Sequence, residues 1–196
     1  MSVPIGVIVL AAGRGSRFRE VAGAEKDKLL ADCTGRDGAV HSVIEQVLVN
    51  IPASLEKRVL VTTVDRPQVI RMAKAYGCEI VLVESTGMGD SIAAGVAACP
   101  QLGGWLIVLG DMPCILRSSI ERVGAGIADD AVSVRTHEGK YGHPVGFGRT
   151  LGPGLMALSG DHGAKPLFAQ ARVVEVAVDD PGVLWDVDVP EALVFA

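Results

Sequence analysis

Ile5-Gly-Val-Ile-Val-Leu-Ala-Ala-Gly-Arg-Gly-Ser-Arg-Phe18 joins a continuously apolar, β-branched run to a turn of small and basic residues. A strand with one wet face alternates apolar and polar side chains. Ile5 to Ala11 does not alternate, so it predicts a strand covered on both faces, as in a parallel sheet. In the turn, Leu10, Ala11, Ala12, Gly13, Gly15 and Ser16 leave the backbone room to close around an anion. Glycine allows successive N–H groups to face one concavity. Arg14 and Arg17 add mobile positive charge, and Lys26 and Lys28 close the segment. The physical fit is to a triphosphate; a flexible, basic surface loop fits the composition equally well.

Two familiar phosphate loops are excluded by spacing. A P-loop requires G-x-x-x-x-G-K-[ST], and Phe18 stands where its second glycine belongs. The dinucleotide fingerprint G-x-G-x-x-G has Gly13 and Gly15 but again Phe18 in third place, and Asp65 comes far too late to serve as its ribose-binding acid. A dinucleotide cofactor is therefore disfavoured.

Working outward, apolar runs and helical patterns alternate. Val40, Val43, Ile44, Val47 and Leu48 recur at helical spacing, and Pro52 follows as a stop. Arg58 to Val64 reads as the second strand. Pro67 opens a helix striped by Val69, Ile70, Ala73 and Tyr76 and ended by Gly77. Glu79 to Val83 is the third strand, Asp90 to Ala98 a helix, and Trp105 to Leu109 the fourth strand. This rhythm predicts a three-layer α/β fold with a mostly parallel sheet and a Rossmann-like, nucleotide-binding first half. Near the C-terminal third, Ala131 to Thr136 and Tyr141 to Phe147 form a β-excursion around the turn at 137–140. Short helices over Leu151 to Leu158 and Ala164 to Ala171, a strand over Arg172 to Val178 and a terminal helix from Pro190 to Phe195 complete the chain. With no repeat or linker, residues 1–196 read as one domain.

Composition narrows the function classes. Hydrophobic residues make up 49% and charged residues 21%, which excludes disorder as the main state. A net charge of −5 gives no basic footprint for nucleic acid, so none is expected as a partner. Met1-Ser2-Val3-Pro4 lacks the start of a signal peptide, and Ile5 to Ala12 is too short to span a bilayer, so no membrane partner is expected. Cys33, Cys78, Cys99 and Cys114 show neither redox nor zinc spacing. Four reduced thiols in a cytoplasmic protein is the expectation.

Two acidic segments stand out. Gly110-Asp111-Met112-Pro113 follows the fourth strand directly, where a carboxylate can hold Mg²⁺ against phosphate oxygens. Asp111 could equally cap a helix starting near Ser118. Asp186 and Asp188, two apart on an extended segment, share one face and can meet one cation, or cap the terminal helix. A third segment, Ser85-Thr-Gly-Met-Gly-Asp-Ser-Ile92, opens a helix after the third strand. Gly87 and Gly89 there allow a flat base to lie against the backbone, or simply make a turn.

Together these segments resemble a known family. Leu10 to Arg17, with Asp27-Lys28-Leu29-Leu30, is similar to the signature loop and following lysine of nucleotidyltransferases of the MobA/MocA-like family, which attach CMP or GMP to molybdopterin. The D-K-L-L context favours Lys28 over Lys26 as the phosphate-binding lysine. Relative to that family, Arg19 to Glu25 lengthens the loop. Gly110 and Asp111 match the G-D-M-P metal-binding motif. The run from Asp186 to Glu191 resembles D-[IV]-D-T-P-E-D, with Val189 for threonine, which implies Asp188 as second ligand and Asp186 as reserve. Gly87, Gly89 and Ser91 match an element that lines the nucleobase. Gly142 to Arg149 and Ser159 to Lys165 match the acceptor side, implying His143, Asp161, His162 and Lys165 as contacts. Lys165 stands for an arginine, keeping charge without bidentate geometry.

The resemblance implies Mg²⁺-dependent transfer of a nucleotidyl group, CMP favoured, from an NTP to a phosphate acceptor such as molybdopterin, with release of pyrophosphate. Arg17 and Lys28 would carry the catalytic charge, and Asp111 and Asp188 the metal. An ionised acceptor phosphate needs positioning and charge neutralisation more than a protein base. The rival readings are a transferase of this fold acting on sugar phosphates or isoprenoid precursors, an NAD(P)H-dependent oxidoreductase of the nicotine blue oxidoreductase type, and a non-catalytic nucleotide-binding protein.

Overall fold

The computed structural model describes residues 3–85 and 87–195. Strand β1 (Ile5–Leu10) has neighbours on both sides, and Val7, Ile8 and Val9 are fully buried, as its unbroken apolar sequence demands. The hairpin partners β2 (Asp32–Thr34) and β3 (Val40–Ser42) form a small separate sheet. Strands β4 (Lys57–Thr62) and β6 (Gly104–Leu109) flank β1 in parallel, and β5 (Glu79–Leu82) pairs parallel with β4. Strands β7 (Ala131–His137), β8 (Lys140–Gly148) and β9 (Arg172–Ala177) continue the same sheet, in the order β5-β4-β1-β6-β8-β7-β9. Among the described residues of this sheet only β8 runs antiparallel to its neighbours. The β-excursion is thus an extension of the main sheet.

Successive side chains of a strand point to opposite faces. Val7 and Val9 pack with Leu60, Leu106 and Val108 under helices α2 (Val43–Asn50), α3 (Pro67–Ala75) and α5 (Arg117–Ala125). Ile8 packs with Val59, Val61 and Ile107 under α4 (Met88–Ala97) and the short α6 (Gly152–Met156). These are the three expected layers. The strand order reverses between β1 and β6, and ligands of open α/β sheets bind at the carboxyl ends of strands beside such a reversal.

Several local expectations change. The segment after Gly15 is a helix, α1 (Ser16–Ala22), anchored by Phe18, which is 3% exposed. Arg19 to Ala22, in the stretch that lengthens the loop, therefore belongs to a helix. Val40 lies in β3, 63% exposed, and α2 begins after Ser42, whose hydroxyl accepts from the Glu45 N–H at 3.4 Å. The segments Lys165–Gln170 and Pro190–Leu193 close as 3₁₀ turns, each with proline in its first turn. Gly77 ends α3 with φ +77°, as expected. All four cysteines are free and buried, and burial pushes the thiols of Cys33, Cys78 and Cys114 up to about 11. Among the described residues no helix is long and apolar enough to cross a membrane. Met1, Ser2 and Thr86, quoted in the sequence reading, lie outside the described residues.

Candidate active site

Lys28 begins a single 3₁₀ turn (Lys28–Leu30) capped by Asp27, whose Oδ1 accepts from the Leu29 N–H at 3.0 Å. The turn buries the lysine to 9% exposure. Its Nζ lies 2.6 Å from Asp111 Oδ2 and 3.3 Å from Asp188 Oδ1. Its stem runs along Gly15, which takes φ +64°; a Cβ there would stand 3.4 Å from Lys28 Cγ. The glycine turn, the lysine and the two acids are therefore one constellation. Lys26 is exposed and bonds through its backbone, its carbonyl accepting from Arg19 Nε at 3.1 Å and its N–H donating to the Gly23 carbonyl at 3.0 Å.

Asp111 is placed by the sheet. The Gly110 N–H donates to the Leu10 carbonyl at 2.8 Å, drawing the ends of β1 and β6 together. The Asp111 carbonyl in turn accepts from the Val187 N–H at 2.8 Å, which docks the segment carrying Asp186 and Asp188 alongside. Asp188 Oδ2 then takes Arg17 Nη1 at 2.5 Å. Neither acid serves as a helix cap. Helix α5 and the chain before it are held by Asp180, which accepts from the Leu116 N–H at 2.9 Å and the Ser119 hydroxyl at 2.6 Å. The terminal 3₁₀ turn has no side-chain cap.

The acids differ electrostatically. Burial works against ionisation of Asp188, but Lys28 and Arg17 outweigh it and hold the carboxyl below its ordinary value. For Asp186, burial and the neighbouring Asp188 and Asp111 carboxylates push it above. Negative charge thus concentrates around the Lys28 ammonium. Among the described residues no group of three or more His, Cys, Asp or Glu gathers as a metal cage. Two hard carboxylates fit Mg²⁺, which keeps several waters and shares substrate phosphates instead of filling an all-protein shell.

Sequence reasoning missed Arg66. It is 6% exposed and directs Nη1 to the Ala11 carbonyl at 2.6 Å, Nη2 to the Gly13 carbonyl at 2.6 Å, and Nε to Asp27 Oδ2 at 3.1 Å. The Thr62 hydroxyl adds a bond to the Ala11 carbonyl at 2.9 Å. The only local hint is its place just before Pro67, at the end of a strand neighbouring β1.

A cleft of about 120 Å³ opens among Leu10, Ala11, Ala12, Gly13, Lys28, Arg66, Met88, Ser91 and Asp111. Arg14 is exposed and borders an adjoining cleft with Arg19, Asp65 and Glu84. Ser16 and Arg17 are exposed at the start of α1. Beyond Met88, a second cavity of about 300 Å³ is walled by Ile92, Ile107, Tyr141, Phe147 and Phe168, with His143 and Lys165 in its lining. Asp161 and His162 are exposed, and Asp161 does not line it. Gly87 and Gly89 owe their identity to packing: a Cβ would stand 2.5 Å from the Gly160 carbonyl oxygen at 87 and 2.6 Å from that of His162 at 89. The expected open surface for a flat base is occupied there by the 159–162 backbone. A larger cavity of about 720 Å³ lies at the opposite ends of the strands, near Ile5, Lys57 and Gly103, away from this constellation.

Known proteins resemble this chain in sequence and in fold. Residues 7–176 match the MobA-like NTP transferase domain. The bifunctional protein GlmU of Sphingopyxis alaskensis is 26% identical over 160 residues, covering 79% of this chain and 33% of that protein. The chain thus spans about a third of the length of that relative. Rv0371c of Mycobacterium tuberculosis superposes with TM-score 0.76 at 26% identity, covering 98% of this chain and 96% of that one. A manganese complex of that protein superposes at 0.66 and 25% identity over 91% and 89%. A nucleotidyl transferase from Methanothermobacter thermautotroptrophicus shares the fold with TM-score 0.81 at 22% identity, over 96% and 94%.

Proposed function

The chain belongs to the MobA-like NTP transferase domain family, and from that premise we propose that it transfers a nucleotidyl group, CMP favoured, from an NTP to a phosphorylated acceptor such as molybdopterin, releasing pyrophosphate. The observation that carries this reading is the convergence of Asp111 and Asp188 on Lys28 beside the glycine turn. Asp111 and Asp188 would hold Mg²⁺, which when bound supplies Lewis-acid neutralisation of the phosphate oxygens. The manganese complex of the Mycobacterium tuberculosis relative supports a divalent cation of this kind.

The protein's own part is positioning and charge. Lys28 pairs with Asp111 and Asp188 and Arg17 with Asp188, and both cations exchange these partners for phosphate oxygens of the NTP. Backbone amides of the glycine turn take the remaining oxygens. An acceptor phosphate oxygen attacks the α-phosphorus in line; the bond from the α-phosphorus to the bridging oxygen breaks, and its electron pair leaves on pyrophosphate. No protein base is required, because the acceptor is already ionised. On the acceptor side, Tyr141, Phe147 and Phe168 offer flat apolar walls for a fused ring, and Lys165 offers charge for its phosphate. The dinucleotide reading loses further support because Phe18 is locked into the core.

A pyrophosphate-release screen of the four NTPs with Mg²⁺, with and without molybdopterin, tests the proposal. CTP with molybdopterin is expected to turn over. NTP binding without release under every combination would leave a nucleotide-binding protein instead.

A further inference from the structure

Arg66 spends two guanidinium nitrogens on the loop it lies under, at the Ala11 and Gly13 carbonyls, and the third on Asp27. A buried guanidinium used this way fixes the peptide planes as well as the chain path. In a trans peptide the carbonyl and the following N–H point in opposite directions. The bonds Ala11–Ala12 and Gly13–Arg14 are trans. Holding both carbonyls on Arg66 therefore turns the N–H groups of Ala12 and Arg14 to the opposite side of the loop. Among the described residues neither of these N–H groups has an acceptor. They are paired donors kept open, with the repelling carbonyl oxygens drawn away from any anion there. Through Asp27, which also caps the turn carrying Lys28, the same guanidinium ties the loop to the lysine arm.

We infer that Arg66 is the positioning residue of the triphosphate site: it touches no reacting atom, but aims the Ala12 and Arg14 amides at the polyphosphate and sets the distance between them and Lys28. This rests on the transferase reading above, and the two can fail separately.

Inorganic tripolyphosphate isolates the loop's contribution from that of base and acceptor. On the full wild-type chain, tripolyphosphate is expected to shift the backbone amide resonances of Ala12 and Arg14. Arg66→Met, with its melting temperature recorded, is expected to bind both tripolyphosphate and MgCTP at least ten-fold more weakly, and millimolar methylguanidinium to restore part of the loss. Restoration by a free guanidinium is a response that a general loss of packing would not give. A folded Arg66→Met that binds tripolyphosphate as wild type does overturns the inference. So does wild-type binding that moves neither amide, a result that stands even if the variant does not fold. A wild-type chain that binds neither probe overturns the transferase reading itself.

Discussion

Lys28 and Asp111 are 83 residues apart in the chain and 2.6 Å apart in the structure, and the same ammonium lies 3.3 Å from Asp188. The lysine thus occupies the point where two carboxylates converge, which is also where a divalent cation would be held. On the proposed reading a cation entering there would meet a resident positive charge, which the phosphate oxygens of an arriving nucleotide would draw away. Metal and lysine would then compete when the nucleotide is absent and cooperate when it is present.

Lys28→Met separates these roles. Without nucleotide, Mn²⁺ binding to the variant, followed by electron paramagnetic resonance, should tighten by about ten-fold, because a like charge within a few ångströms is removed. MgCTP binding should weaken by about ten-fold or more through loss of a charge-assisted phosphate contact. Equal weakening of both would show that Lys28 does not share the metal's position.

Asp111→Asn keeps the side-chain shape and removes the charge. Because Lys28 retains Asp188 and the site is partly open to water, the melting temperature should move only slightly. Pyrophosphate release should fall about 10²-fold or more, the usual scale for losing one preorganised electrostatic contact to a reacting phosphoryl group. Wild-type turnover in the purified variant would remove Asp111 from the metal site.

Much of this was legible in sequence because the relevant signals are local. Unbroken apolar runs mark β1 and β6, and Gly110-Asp111 follows one of them directly, so the acid's placement needs only the end of a strand. Lys28 is favoured over Lys26 only by the resemblance of its D-K-L-L surroundings to the family loop. What escaped is long-range. Arg66 matters because β4 lies beside β1, bringing it to carbonyls more than fifty residues earlier. Phe18 anchors the helix that follows the glycine turn through a core that local pattern does not reveal. Gly87 and Gly89 read as a binding surface until the 159–162 backbone, distant in sequence, is seen lying on them.

The two neighbouring acids should give pH effects of opposite sign in metal-free protein. Asp188 has a depressed native value, so its ion pairs stabilise the fold above the ordinary 3.8 and are lost as pH falls through that lower value. Asp188→Asn should therefore be less stable than wild type at pH 7, by under about 1 kcal/mol for a partly exposed pair, and the gap should close in acid. Asp186 has a raised value, so its ionisation costs the fold at pH 7. Asp186→Asn should be the more stable protein there, with the gain gone below 3.8. Chemical denaturation at pH 7, 5 and 3.5 measures both, and gaps of the same sign would contradict the arrangement.

Asp180 offers the reverse test, a residue central to the fold and outside the chemistry. It is 1% exposed and binds Arg36 at 2.5 Å, the Leu116 and Gly182 N–H groups at 2.9 and 3.0 Å, and the Ser119 hydroxyl at 2.6 Å. One carboxylate thereby joins the tip of the β2–β3 hairpin, the start of α5 and the C-terminal segment. Asp180→Ala leaves a guanidinium, two amides and a hydroxyl short of an acceptor, and should cost about 3–5 kcal/mol in denaturant unfolding. Arg36 also lies 5.0 Å from the Phe195 ring centroid, so part of its environment survives the substitution and the cost should fall short of the sum of the lost bonds. Because Asp180 bonds none of Arg17, Lys28, Arg66, Asp111 or Asp188, the folded fraction at low temperature should bind MgCTP within about two-fold of wild type. A stable Asp180→Ala protein with lost nucleotide binding would mean that this buried anchor positions the site after all.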